Sequence, residues 1–496
     1  MTKTVLPIVL LAVCGLTARA QQSTVVGQSQ TVRGTVVDRY SQSPLPGASI
    51  VVLGTDPLLG TIADGDGRFE ILRVPLGRHD FEARFLGYQS VRKTSVLVGS
   101  SKEVVLRFEL DEQVLTGDDI VVTPDVEKDR PVNELAAVSV RPFTVEETRR
   151  YAGGVDDPAR LASAFAGVAT TGDVADNALI IRGNSPKGVQ WRLEGVEIPN
   201  PNHFAGLNVA GGGGITLFSS QLLDDSDFLT SAFPAEYGNA IAGIFDVKLR
   251  RGNTERREHT FQIGLLGIDI ATEGPFRSGR NSSYVVNYRY STLGLLLPLL
   301  PVDGITTYQD LSFKSSFAAG KNSRVDFWGI GGIDGQRQNE VEDVAKRRFA
   351  FDRTRLRLRL GTGATGLTFR RVLGANSLLS ASLALTGQRT DVQEWEVPEN
   401  NERKPSSDLQ STTARIVTNV TLNHKFGTGS LSRTGVSFQR LFYDLNVSFA
   451  PFLGEPLTQA ARGSGSTSLV RAFTHHRFSL AGRLTIDAGL HTQYFA

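Results

Sequence analysis

From about residue 253 onward, apolar and polar side chains change places at every second position. Tyr284, Val286, Tyr288 and Tyr290 alternate with Val285, Asn287, Arg289 and Ser291. Leu356, Leu358 and Leu360 alternate with Arg355, Arg357 and Arg359. Ile416, Val420 and Leu422 oppose Arg415, Asn419, Asn423 and Lys425, and Leu484, Ile486, Ala488, Leu490 and Tyr494 oppose Thr485, Asp487, His491 and Gln493. Successive side chains of a strand point to opposite faces. The pattern therefore predicts strands with one apolar and one polar face over 253–496. A soluble sandwich alternates in this way too, but long strands with tyrosines near their ends favour a membrane barrel with a lipid face and a lumen face. No apolar run is long enough for a membrane-spanning helix, and the nearest, LGLLLPLLPV from 293 to 302, carries two prolines.

The N-terminus supports an exported chain. Lys3 precedes an apolar stretch from Val5 to Leu16, and Ala18-Arg19-Ala20 fits a cleavage site before Gln21, so residues 1–20 read as a signal peptide. A lipoprotein signal ending at Cys14 is the rival, disfavoured by the bulky Val13. Cleavage would remove the only cysteine and the only methionine, leaving no thiol chemistry. A formal net charge of +2 with 21 % charged residues gives no basic surface for nucleic acid.

Residues 31–112 hold short β patterns (VRGTVVD, ASIVVLG, GRFEILRV, HDFEARFLGY, VVLRFEL) separated by turns such as PLPG and DGDG, which predict a small β-sandwich. The stretch resembles the carboxypeptidase-regulatory-like domain, which implies a non-catalytic module in front of an outer-membrane receptor. Asp64-Gly65-Asp66-Gly67 lacks the oxygens and the closing Glu of a calcium loop and reads as a hairpin turn. His79 and Glu82 match H-x-x-E, but on a strand they face opposite ways.

Residues 113–134 form an acidic, proline-containing linker with one apolar island, Ile120-Val121-Val122. Together with Asp118, Asp119, Thr123 and Pro124 it resembles the energy-coupling box of TonB-dependent receptors, in which an extended segment pairs by strand addition with TonB. The alternative is a last strand of the preceding sandwich. Residues 135–252 read as a mixed α/β unit. Thr144 to Glu147 matches a capping box, Asp157-Pro158 an N-cap followed by proline at the first helical position, and Gly167 a stop. Val189 to Ile198 should form sheet. The segments IIRGNSP, WRLEGVEIPNPNHF and SAFPAEYGNAIAGIFDVKLRRGN resemble the plug of a TonB-dependent receptor, of the Bacteroidetes type that carries a regulatory-like sandwich.

The expected fold is mainly β: an N-terminal β-sandwich, an α/β plug, then the first part of a transmembrane antiparallel barrel. About ten barrel strands can be counted, whereas plugged transporters need about 22, so the chain is expected to be part of a longer receptor. The resemblance implies energy-coupled uptake across the outer membrane. Its partners would be TonB with the inner-membrane energising complex, outer-membrane lipid, and an extracellular ligand such as a siderophore, glycan or peptide. A non-transporting signalling receptor and a secreted β-rich binding protein are the alternatives. The resemblance places Asn200, Asn202, His203, Phe204 and the flexible apical run Gly211, Gly212, Gly213 and Gly214 on the ligand side, with a structural role as the default for His203. The sequence has no H-E-x-x-H, G-x-S-x-G or phosphate-loop motif. No catalytic, metal or cofactor residues are expected.

Overall fold

A computed structural model describes residues 28–113, 125–126, 131–136, 138–143, 145–151, 157–172, 176–206, 209–264, 267–277, 281–292, 305–452, 454–480 and 484–496. The expected signal peptide and residues 118–124 lie outside the described residues.

The N-terminal part is two sheets packed face to face. One orders Arg68–Pro75, Ser29–Asp38 and Val104–Leu110; the other orders Leu59–Ile62, Ser49–Leu53, Gly77–Arg84, Val91–Val98 and Asp125–Val126. Val32, Val36, Ile50, Val52, Phe69, Phe81 and Phe108 close the space between them. Asp64 accepts from the amides of Asp66 and Arg68, a side-chain-stabilised turn. His79 meets the carbonyl of Pro75, while Glu82 is buried against Arg84 and Arg92, so the two do not converge. Asp125–Val126 joins the second sheet by parallel pairing with Val91 and Arg92.

The middle part is a five-stranded sheet ordered Val196–Ile198, Val189–Leu193, Gly243–Val247, Ser226–Leu229 and Val140–Phe143. Gly243–Val247 lies parallel to one neighbour and antiparallel to the other, and all five of its residues are buried. Apolar residues on both faces of a strand are what such burial requires. Trp191 stacks on Phe245 at 4.2 Å, and Phe143, Phe218 and Phe228 surround them. Short helices run over Val145–Arg150 and Pro158–Ala162, the second capped by Asp157 through the amide of Ala159. That helix stops before Gly167, which instead turns the chain at φ +80° into the strand Val168–Thr170.

The C-terminal part is one antiparallel sheet of eleven strands in sequence order, one more than the alternation revealed. The strands lengthen from six residues in Glu258–Ile263 to 24 in Lys404–Gly427. Tight turns at 319–322, 373–376 and 428–429 mark one end, and longer loops at 339–353, 397–403 and 450–457 the other. In outer-membrane barrels short turns face the periplasm and long loops the exterior. Phe261, Leu311, Phe327, Leu385, Phe438 and Leu490 are exposed on the outer face. Among the described residues no helix is long and apolar enough to cross a membrane.

One part of the alternation is inverted. Leu358 and Leu360 are buried on the inner face, and Arg355, Arg357 and Arg359 occupy the alternate, outer face. Register decides this. Trp328 and Ile330 pack into the core of the enclosed sheet and pair with Gly366 and Ala364, which fixes the even-numbered positions of this strand inward.

Candidate gate between plug and wall

The hairpin Val189–Ile198 and the segment after it run along the inside of the wall and are fastened at two levels. The lower fastening is the turn Glu194-Gly195, with φ of +52° and +84°, the geometry of a two-residue hairpin turn. A non-glycine residue in that region is strained, and here the strain aims a carboxylate at the wall. Glu194 Oε1 accepts from Lys314 Nζ at 2.8 Å and from the amide of Leu249 at 2.8 Å, while Oε2 accepts from Arg370 at 3.0 Å. Burial alone would raise the Glu194 pKa, but Lys314 and Arg370 outweigh it and hold the carboxyl well below the usual range. Three residues on, Glu197 takes Arg415 at 2.8 Å and Arg471 at 3.0 Å, and Glu236 pairs with Arg433.

The upper fastening is His203, fully buried. Its Nε2 lies 2.8 Å from Asp310 Oδ2 and its Nδ1 2.5 Å from Asp334 Oδ1, and its ring packs on Tyr308 at 4.3 Å. Two carboxylates on two ring nitrogens require both nitrogens to donate, so the imidazole is the charged form. Burial would lower its pKa; the two carboxylates outweigh burial and raise it. Arg289 completes the cluster, bonding Asp310 at 3.0 Å and the carbonyl of Thr216 at 2.7 Å. Gly332 makes this approach possible, because a Cβ there would come within 2.5 Å of Leu217 and 3.0 Å of the His203 ring.

A polar chain knits the expected ligand-side residues together. Asp157 Oδ2 accepts from Asn177, Asn177 donates to Asn202, Asn202 to Asn200, and Asn200 to the carbonyl of Gly212. The amide of Gly214 donates to the carbonyl of His203. The NPNHF and GGGG segments thus form one unit. The reading of the glycines as a loose loop is corrected: a Cβ on Gly211, Gly212 or Gly213 would lie within 2.5 Å of Pro186, Asp176 or Asn202. These glycines serve close packing. Asn202, His203, Gly212 and Gly213 are buried, and Asn200, Phe204, Gly211 and Gly214 keep partial exposure.

Sequence reasoning missed Glu194, Glu197 and their cationic partners. The available signal was two glutamates in an otherwise apolar run, WRLEGVEIP, set against arginines on the polar face of later strands.

A small mixed sheet enclosed by antiparallel strands, with a sandwich in front, is the fold of TonB-dependent outer-membrane receptors. Residues 31–111 match the carboxypeptidase regulatory-like domain. Over 289 residues the chain is 22 % identical to the TonB-dependent transporter Oar of Myxococcus xanthus, a match covering 55 % of this chain and 26 % of that protein. It superposes on Pseudomonas aeruginosa FpvA, solved bound to heterologous pyoverdines, with a TM-score of 0.53 at 11 % identity, covering 72 % of this chain and 51 % of FpvA. For the Escherichia coli outer membrane transporter YddB the TM-score is 0.50 at 12 % identity, covering 72 % and 56 %. The chain therefore spans about a quarter of the curated relative and about half of these solved structures. Oar and YddB are transporters.

Proposed function

We propose that the chain works as a plugged, energy-coupled importer of the outer membrane, in which the sheet 140–247 is the gate and residues 118–124 are the handle engaged by TonB. The observation that carries this reading is the seam. The plug is fastened to the wall by charged pairs at Glu194, Glu197, Glu236 and His203. Separated charges regain hydration when water enters, so such a seam can open without exposing a hydrophobic face. The sandwich sits at the short-turn end: Lys425 reaches Asp38 at 2.6 Å and Glu112 at 2.8 Å, and Ser43 donates to the carbonyl of Gly374. These contacts support a periplasmic position for the sandwich, and in this reading residues 118–124 face the periplasm while Phe204, Gly211 and Gly214 lie nearest the ligand. A ferric siderophore is the first ligand to test, since one solved relative is bound to pyoverdine.

Without cysteine after residue 14, a single reporter can be introduced. Leu217→Cys places a buried thiol on the seam. Maleimide labelling in cells should rise with an energised inner membrane and ligand, and should need both TonB and residues 118–124. Labelling that ignores the deletion of 118–124 and the collapse of the proton gradient would refute coupling through this segment.

A further inference from the structure

The inverted stretch 355–359 sets arginines on the outside of the wall. Its neighbours add to them. On the outward faces of three adjacent strands, Ser323–Gln338, Thr354–Val372 and Ser377–Glu396, the loop-side ends carry Arg337, Arg355, Arg357, Arg359 and Arg389. Arg337 stands directly opposite Arg357 across the ladder, and Arg359 is the next outward residue. Directly opposed like charges destabilise a sheet, so this arrangement calls for an anion. The carboxylates nearby are committed elsewhere: Asp391 holds Arg389 at 2.8 Å, and Glu340 holds Arg403 at 2.7 Å and Arg355 at 3.5 Å. Arg357 is held in place by the carbonyls of Gln338 and Leu356 and by Asn339. Arg337 and Arg359 are exposed; Arg359 stands opposite Asp391 in the next ladder, but that carboxylate is turned to Arg389.

The position of the cluster is as specific as its charge. Ile333 and Leu385, exposed at 61 % and 57 %, are the last large apolar side chains on the outer faces of their strands before the arginines begin. Arg337 and Arg389 each follow four residues later, about 13 Å along a strand. Charged residues on the lipid face are expensive at mid-membrane and nearly free at the interface, so the arginines mark the level of the headgroups on the loop side. Beside them a groove of about 260 Å³ opens over Gly335, bounded by Tyr290, Thr307, Gln309, Ile333 and Arg359. It reaches from Ile333 to Arg359, with Tyr308 and Asp334 also on its lining.

We infer that Arg337, Arg357 and Arg359 form a docking site for a phosphate-bearing membrane lipid of the outer leaflet, its phosphate on the arginines and its apolar part in the groove over Gly335. Guanidinium groups suit the occupant because they bind phosphate through paired donors. The inference rests on the wall lying in the outer membrane and is independent of transport.

The test uses the full chain extracted from outer membranes in mild detergent, with diphosphoryl lipid A as the probe and native mass spectrometry as the readout. Wild type should retain one lipid A. The variant R337Q/R357Q/R359Q should retain at least tenfold less, while K346Q, a loop charge away from the cluster, should match wild type. Lipid A stripped of both phosphates should be retained at least tenfold less by wild type. G335W, which fills the groove and leaves every arginine in place, should also weaken retention, and it serves if the triple variant does not fold. Equal retention by the arginine variants, or of the stripped lipid, overturns the site. Displacement of lipid A by millimolar inorganic phosphate would mark it as a site for free anions and overturn the lipid assignment. A chain absent from outer-membrane fractions would instead overturn the membrane reading beneath it.

Discussion

The interior of the plug and its seam with the wall are both buried, yet they are built from opposite materials. Inside, Trp191, Leu193, Phe228 and Phe245 exclude water and carry no charge. At the seam, Glu194, Glu197 and Glu236 meet Lys314, Arg370, Arg415, Arg471 and Arg433. An apolar core resists water because exposing it is costly in proportion to area. A buried ion pair contributes little net stability, since most of its attraction offsets lost hydration, but removing one member strands the other. The core therefore keeps the plug one body, and the seam keeps it in one place. A gate needs the first to be permanent and the second to be reversible.

The largest expected effects fall on one residue from each region. Trp191→Ala should destabilise by about 3–5 kcal/mol, and Glu194→Ala, which strands Lys314 and Arg370, by about the same. They should differ in kind. In chemical unfolding followed by hydrogen exchange, Trp191→Ala should loosen strands 189–193 and 243–247, whereas Glu194→Ala should loosen the plug against the wall and leave those strands protected. Identical exchange patterns would erase the distinction between core and seam. Next in size is the apolar seam, Glu194→Leu with Lys314→Met, Arg370→Leu and Asp326→Leu, the last because Arg370 also holds the buried Asp326 at 2.7 Å; it is expected to be neutral or more stable by about 1–4 kcal/mol. It should also lower energised labelling at the Leu217→Cys reporter; a seam made apolar that opens as readily as before would remove the reason for its charges.

Asp157→Ala removes a helix cap and the first link of the chain to Asn202. It should cost about 0.5–2 kcal/mol, with the loss of protection centred on 200–214. The smallest effect is a pH dependence at the upper fastening. His203 has a raised pKa and faces Asp310 and Asp334, with Arg289, Tyr308 and Asp269 around them. Its stabilising contribution is complete below the ordinary histidine value of about 6.5. It is lost as pH rises through the higher folded value. Protease protection of the plug should fall a few-fold as the pH is raised above about 6.5 in wild type and stay flat in His203→Gln.

The sequence made some of this legible for definite physical reasons. Alternation with a period of two is local, so strands were readable from Tyr284 to Tyr290 and from Ile416 to Leu422 without tertiary information. The Asp157-Pro158 cap was readable because capping involves neighbours in sequence. The orientation of Leu356 to Leu360 was not, because it depends on register with Trp328 and Ile330, and thus on what the wall encloses. The seam was hidden for the same reason: Glu194 and Lys314 are 120 residues apart in sequence. The Gly211–Gly214 run misled because glycine serves looseness and close approach alike, and only the neighbours Pro186, Asp176 and Asn202 tell which.

The short pairing of Asp125–Val126 with Val91 and Arg92 bears on how force would travel through the molecule. Asp125–Val126 is tied to the sandwich and lies in the chain between the sandwich strand Val104–Leu110 and the plug. Tension applied to residues 118–124 reaches the small parallel pairing before it reaches the plug. If residues 118–124 are pulled as proposed, that pairing would act as a mechanical fuse: below its breaking force the load would stay in the sandwich, and above it the released slack would pass the pull to the segment that leads to the plug.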